Sequence, residues 1–271
     1  MRTFSFLGGA LFAGALVMGC GGGGGAGGSS GGGGSSANGG SSAGGSSTGT
    51  GAAGTATTGS DTTLPAVSCT DAPRDGKVTY YDFADGSGAC SFDPTPNDLM
   101  VGAMNAPDYL ASAACGACAQ ITGGDGKQIV VRIVDLCPEC QTGHIDLSPE
   151  AFAKLGDLSL GVMPVTWQYA SCDYQGPIQY KFKEGSNQWW TAVQIRHHQN
   201  RIAKFEYEKD GAWVEVLRTD YNYFVEDQGM GPGPYHFRVT DIAGQVLEDS
   251  GIPFQEGGVI DGTGQFPPCD N

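Results

Sequence analysis

Two tandem indoles, a set of paired cysteines and four histidines are the side chains in this sequence whose type and spacing first raise the question of chemistry. Cys115-x-x-Cys118, eighteen residues, then Cys137-x-x-Cys140 has the spacing of a zinc ribbon, a closed tetrahedral thiolate site. His144, His197, His198 and His236 add no metal spacing beyond one adjacent pair, and no metal or other cofactor is expected. There is no phosphate-cradling glycine loop, no G-x-S-x-G nucleophile elbow and no H-E-x-x-H pair. Trp189 and Trp190 stand side by side ahead of Val193 and Ile195. Trp189 shares the parity of those two apolar residues, so a regular strand buries Trp189 and exposes Trp190. Both indoles can face outward only if the chain leaves strand geometry before Thr191.

The compartment decides between zinc and disulfides. Met1-Arg2 precedes an apolar run from Phe4 to Met18, and Val17-Met18-Gly19-Cys20 follows, which reads as an export signal too short to span a membrane. Without Cys20, eight cysteines remain: Cys69, Cys90, Cys115, Cys118, Cys137, Cys140, Cys172 and Cys269. In an exported chain that even number predicts disulfides over zinc, with the connectivity left open by sequence.

Residues 21–60 are 19 Gly, 9 Ser, 5 Thr, 6 Ala and one Asn, so no large or charged side chain offsets the entropy of ordering them. Residues 21–64 are therefore expected to be a disordered tether, spanning roughly 35 Å on average over its 40-residue Gly/Ser core. The 271-residue chain carries 14 basic and 29 acidic groups, a net charge of −15. Residues 65–176 hold −9 of this and residues 177–271 hold −6, so both halves are acidic. Nucleic acid is excluded as a partner, because neutralising phosphates needs clustered Lys and Arg.

The elements that must carry these residues are mostly short strands. Lys77 to Phe83 alternates, with Val78, Tyr80 and Asp82 on one side and Thr79, Tyr81 and Phe83 on the other. Gln128 to Val134 is a β-branched run ending at Asp135, and Val162 to Tyr169 is a third strand candidate. Ser148, Pro149 and Gly156 bracket a short helix over Pro149 to Leu155. A boundary falls near 173–177. Beyond it, Lys204–Glu208 and Ala212–Val216 flank the turn Lys209-Asp210-Gly211, and Tyr235–Thr240 and Gln245–Glu248 flank Ala243-Gly244. That spacing predicts a small antiparallel sandwich.

Gly76-Lys77-Val78-Thr79-Tyr80-Tyr81, Val134-Asp135-Leu136-Cys137-Pro138 and Ile145-Asp146-Leu147-Ser148-Pro149 resemble the bacterial expansins. Lys183-Glu184-Gly185-Ser186-Asn187-Gln188-Trp189-Trp190, Tyr207 to Trp213 and Asp220-Tyr221-Asn222 extend the resemblance through the second half, from about Gly76 to Phe266. It implies an all-β protein, a six-stranded double-psi β-barrel over 65–175 followed by an immunoglobulin-like β-sandwich over 176–271. By the same resemblance Thr79, Asp135 and Asp146 lie in the barrel groove, while Lys183, Trp189, Trp190 and Tyr221 form a polysaccharide-binding face. The implied partner is cellulose or a related β-glucan, and the implied state a monomer. Cys137 departs from the pattern: the better-known bacterial relatives carry Tyr there, so one aromatic contact is exchanged for a disulfide candidate. Cys20 after a small residue resembles the lipobox of bacterial lipoproteins, which implies acylation at Cys20 and a protein anchored by lipid to the cell envelope, or otherwise extracellular.

Flat indole and phenol faces suit the weakly polar faces of glucan rings. Covering roughly 150–200 Å² yields about 4–5 kcal/mol gross at ~25 cal/mol/Å², near-millimolar binding if nothing else contributes. Cutting a glucan usually needs two carboxylates. Asp146 matches the general acid of the related family-45 endoglucanases, whose base sits in T-x-Y-W-D. Here the run is Thr79-Tyr80-Tyr81-Asp82-Phe83, so Phe83 holds the base position and Asp82 comes one residue early, on the opposite face of a strand. The expectation is a gripping surface that loosens walls without hydrolysis. His144, two residues before Asp146, has two readings, a groove border and a solvated loop position, and the loop is the one expected; Trp167 and Trp213 read as core or edge residues. The alternatives are a peptidoglycan lytic transglycosylase of the rare lipoprotein A type, and a polysaccharide-binding surface adhesin.

Overall fold

The computed structural model describes residues 72–82 and 84–269. The export signal with Cys20, the tether, Cys69 and Phe83 lie outside the described residues. Every described residue belongs to one compact unit, Ser60–Asn271.

Within that unit the first six strands close a barrel: β1 (Arg74–Tyr80), β2 (Val101–Asn105), β3 (Cys118–Gly123), β4 (Gln128–Cys137), β5 (His144–Leu147) and β6 (Met163–Ala170), in the order β1-β5-β2-β4-β3-β6. β1 runs parallel to β5 and β2 parallel to β4, giving the double-psi arrangement. Val78, Met104, Ile121, Val131, Ile133, Ile145 and Leu147 fill the interior. After the one-turn helix α1 (Ala106–Tyr109), helix α2 (Pro149–Leu155) starts at Ser148, whose hydroxyl accepts from Ala151 N, and buries Phe152 against Tyr80, ring centroids 5.0 Å apart.

Among the strand limits that differ from the sequence reading, those of β1 and β4 bear on the site. β1 begins at Arg74 and stops at Tyr80, so Asp82 lies beyond the strand, in a turn. β4 runs through Asp135 to Cys137, because a β-bulge lets pairing continue: Gly102 pairs with Ile133 but Ala103 with Asp135. The extra residue, Val134, is absorbed into the core.

The second body is a sandwich of two four-stranded sheets, β10-β9-β12-β13 and β11-β8-β7-β14. Its strands are β7 (Gln179–Phe182), β8 (Thr191–Arg196), β9 (Ile202–Lys209), β10 (Ala212–Val216), β11 (Phe224–Glu226), β12 (Tyr235–Asp241), β13 (Val246–Ile252) and β14 (Val259–Asp261). Tyr180, Phe182, Phe205 and Phe237 stack between the sheets. Asp210 and Gly211, at φ +53° and +79°, make the predicted β9–β10 turn.

Disulfides join Cys90 to Cys115, Cys118 to Cys172 and Cys137 to Cys140, and Cys269 is disulfide-bonded as well. The zinc-ribbon alternative is thereby answered: each of its four cysteines is in a disulfide, and Cys115 and Cys118 take partners outside the set. Barrel and sandwich meet through polar contacts. Gln194 and Asn222 side-chain amides donate to Cys90 O at 2.9 and 3.2 Å, and the Ser112 hydroxyl donates to Thr219 O at 2.6 Å. Among the described residues no helix is long and apolar enough to cross a membrane.

Candidate functional site

The barrel residues of the site lie in one row across four strands. Thr79 on β1 pairs with Asp146 on β5, Asp146 with Ala103 on β2, and Ala103 with Asp135 on β4. Directly paired residues share a face, so Thr79, Asp146, Ala103 and Asp135 point the same way while Val78 and Ile145 point into the core. Asp135 joins this row because of the bulge. In regular alternation it would share the inward parity of Ile133. Two strand spacings separate the acids, placing their Cα atoms about 10 Å apart.

The Thr79 hydroxyl donates its proton to Asp146 Oδ1, and Thr79 Oγ1 lies 2.8 Å from His144 Nε2. With its one proton committed, Thr79 accepts from an Nε2–H of His144. Burial, followed by the Lys77 charge, lowers the His144 pKa from its ordinary value, opposed by the Asp146 carboxylate. His144 is therefore a groove residue on β5, not the solvated loop residue expected from sequence.

Asp135 is held differently. Its Oδ1 accepts from Ala89 N at 2.6 Å and from its own neighbour Leu136 N at 2.8 Å. Gly88, at φ +151°, lets the preceding backbone pass over the carboxylate, since a Cβ there would stand 2.4 Å from Asp135 Cγ. Asp82 is exposed and lines a separate hollow with Asp85 and Glu150, outside the Thr79–Asp146 row.

Tyr81 completes the groove, and sequence reasoning gave it no role. Its ring packs on Ala103, Cys137 and Cys140. Its hydroxyl is buried without a hydrogen-bond partner. Burial, and then the charges of Asp135, Asp146 and Asp85, raise its pKa above the ordinary phenol value, so it remains neutral. The available signal was parity, since Tyr81 falls on the Thr79 side of the run. The Cys137–Cys140 disulfide lies under this ring.

The aromatic residues of the sandwich sit on the β7–β8 connection. Asn187 and Trp190 bridge a tight turn with Trp189 at its tip, and β8 begins only at Thr191. The Asn187 side-chain oxygen accepts from Trp189 N at 2.9 Å and Trp190 N at 3.2 Å. Trp189 is 72% exposed and Trp190 half-buried, the reverse of the regular-strand parity. The chain does leave strand geometry before Thr191. Gly231 N donates to Gln188 O at 3.1 Å behind the turn, and Gly229 packs so closely that a Cβ would lie 2.2 Å from the same oxygen. Lys183, at the start of the connection, holds its ammonium 5.3 Å from the Tyr223 ring, which lies 6.0 Å from the Tyr221 ring. Trp167 is buried in the barrel, and Trp213 lies under the Arg238 guanidinium on β10, an edge strand.

An open hollow lies at the seam of barrel and sandwich. Ala89, Tyr109 and Leu136 of the barrel and Asp220 and Tyr221 of the sandwich line its volume of about 440 Å³. Ala89 and Leu136 are the residues whose amides hold Asp135. Tyr109 Oη donates to Asp220 O at 3.4 Å across the seam.

A closed double-psi barrel with an acid row, joined to a sandwich that displays indoles on a turn, defines the class of two-module barrel-and-sandwich proteins. A family profile described as lytic transglycolase matches residues 101–167, from β2 into β6. Expansin-YoaJ of Bacillus subtilis (strain 168) is 36% identical over 211 residues, covering 74% of this chain and 90% of its own. Expansin-like protein 3 of Dictyostelium discoideum is 28% identical over 207 residues, covering 72% of this chain and 61% of its own. The crystal structure of an expansin from Clavibacter michiganensis superposes with a TM-score of 0.68 at 32% identity, covering 72% of this chain and 98% of that one. A mutant of that expansin, in complex with cellohexaose, gives a TM-score of 0.67 at 32% identity over the same shares of the two chains. The chain belongs to the expansin family.

Proposed function

We propose that this protein grips β-glucan chains, cellulose foremost, and loosens them from one another without cutting them. The observation that carries the reading is the hollow at the seam: Ala89 and Leu136, whose amides hold Asp135, line it together with Tyr221 of the sandwich. The Clavibacter expansin variant crystallised with cellohexaose supports a cello-oligosaccharide as the ligand class. In this reading Trp189, Trp190 and Tyr221 stack on glucose rings, and Lys183 donates to hydroxyls. Thr79, Asp146 and Tyr81 hold a chain in the groove.

The chemistry of the groove supports gripping over cutting. A hydrolase needs an acid and a second carboxylate free to activate water or attack. Asp135 is the second carboxylate of the row, fixed in place by the Ala89 and Leu136 amides on its Oδ1. Thr79 is bonded to Asp146 on the other strand. A water-activating base in a third place would have to be Asp82, which lines another hollow.

The reading extends to the rest of the chain: an export signal ending at lipidated Cys20, a tether over 21–64, the expansin barrel over 65–175 and the binding sandwich over 176–271. The protein then works as an envelope-anchored monomer outside the cell, with no nucleic-acid partner. Changing Cys20 to Ala should move it from the membrane fraction to the medium or the soluble fraction. Retention in the membrane fraction would contradict the anchor.

The deciding experiment incubates purified protein with filter paper and with peptidoglycan sacculi. Binding and weakening of the paper with no soluble sugar released is the expected result. Soluble anhydro-sugars from sacculi would instead favour a lytic transglycosylase, the description carried by the matching family profile.

A further inference from the structure

The seam between barrel and sandwich also contains a cationic hollow. It has a volume of about 230 Å³ and is walled by Phe92, Asp93 and Arg132 from the barrel and by Tyr174, Arg196 and His197 from the chain that follows. In a protein of net charge −15, two guanidiniums and an imidazole here surround a single lining carboxylate. Each arginine side chain is only 12% exposed.

Their hydrogen bonding is incomplete. Arg196 Nη1 donates to Asp93 Oδ2 at 2.6 Å and its Nε to Gln194 Oε1 at 2.5 Å. Arg132 Nη2 donates to Thr95 Oγ1 at 3.0 Å, with Asp98 at 3.6 Å. Arg132 Nε is buried with no acceptor, and Arg196 also bonds the Tyr223 side chain. Both guanidiniums line the hollow, where a ligand oxygen meets a charged donor. Phe92 fixes both heads, its ring centroid lying 5.6 Å from one guanidinium carbon and 5.8 Å from the other. His197 stacks on Tyr174 at 5.0 Å, and its pKa lies below the ordinary value through burial and then the Arg132 charge. It meets a ligand as a neutral ring.

We propose that this seam pocket binds a compact oxyanion, either a phosphate-type ion or the carboxylate of an acidic sugar, through Arg132 of the barrel and Arg196 of the sandwich. Planar guanidiniums match such oxygens in pairs. The occupied pocket ties the two bodies together, so binding stabilises the fold by mass action. Nothing in this proposal depends on the glycan reading.

Thermal unfolding and calorimetric titration of the whole chain test it, with sodium phosphate, sodium glucuronate, glucose, and sodium chloride at matched ionic strength. Phosphate or glucuronate should raise the midpoint temperature saturably, and glucose and chloride should not. Saturation by phosphate alone identifies an inorganic source, and tighter saturation by glucuronate an acidic sugar. Arg132→Gln should weaken binding at least tenfold. Asp93→Asn, which removes the carboxylate competing for Arg196, should tighten it about threefold. No saturable effect of either anion, glucose acting like glucuronate, or an Arg132→Gln titration matching the unaltered protein would overturn the proposal. If Arg132→Gln does not fold, an unchanged half-saturation point in Asp93→Asn overturns it.

Discussion

Tyr81 carries a hydroxyl that the folded protein buries and leaves without a partner. Such a group destabilises by about 1–3 kcal/mol relative to a paired one. Tyr81→Phe should therefore unfold at the same or a higher denaturant midpoint and leave the affinity for cello-oligosaccharide unchanged, because the hydroxyl is closed off from the groove. A lower midpoint would mean that the hydroxyl is bonded in the folded protein. The indoles give a second residue-scale prediction. Trp190→Ala should lower cellulose binding about tenfold, or ~1.4 kcal/mol, and Trp189→Ala should lower it more, because Trp189 is 72% exposed at the tip of the turn. An unchanged isotherm in Trp189→Ala would remove the turn from the binding face.

At the scale of elements, the β7–β8 turn depends on the backbone behind it. Gly229→Ala forces a Cβ to within 2.2 Å of Gln188 O and adds the strain of φ +72°. The variant should stay folded but lose cellulose binding by about as much as Trp189→Ala. Elements were legible where local chemistry punctuates the chain. Ser148, Pro149 and Gly156 gave α2 its limits, and Asp210-Gly211 gave the β9–β10 hairpin. The failures have physical causes too. The bulge at Val134 breaks the two-residue period, so the run reads as ending at Asp135 while the strand continues to Cys137. β5 is four residues long, too short to show a period, so from sequence His144 reads as a loop residue. The parity of Thr79 and Tyr81 was readable. That Tyr81 has a groove to face depends on β4 and the Cys137–Cys140 link, which are distant in sequence.

For the molecule as a whole, His198 makes stability depend on pH. It is fully buried, its Nδ1 2.8 Å from Asn200 O, and burial with the nearby Arg218 charge lowers its pKa to about 4. An unfolded chain protonates the same group near 6.5. Between those values the unfolded state binds more protons, so stability falls as pH drops from about 6.5 toward 4, by about 3 kcal/mol for this group. His198→Gln should flatten that part of the profile, and an unaltered slope would reassign the effect. Cys118–Cys172 closes a loop over a sequence separation of 54 and ties β3 to the start of the second body. Replacing both by Ala should cost about 4 kcal/mol, read as a lower urea midpoint.

The central claim is that groove and indoles hold the same glycan chain. Amide hydrogen exchange with and without cellohexaose tests it most directly. The account predicts slowed exchange at Ala89 and Leu136 in the barrel together with Trp189 and Trp190 on the turn, at one ligand concentration and with no hexaose cleaved. Protection confined to the turn, or cleavage of the hexaose, would contradict it.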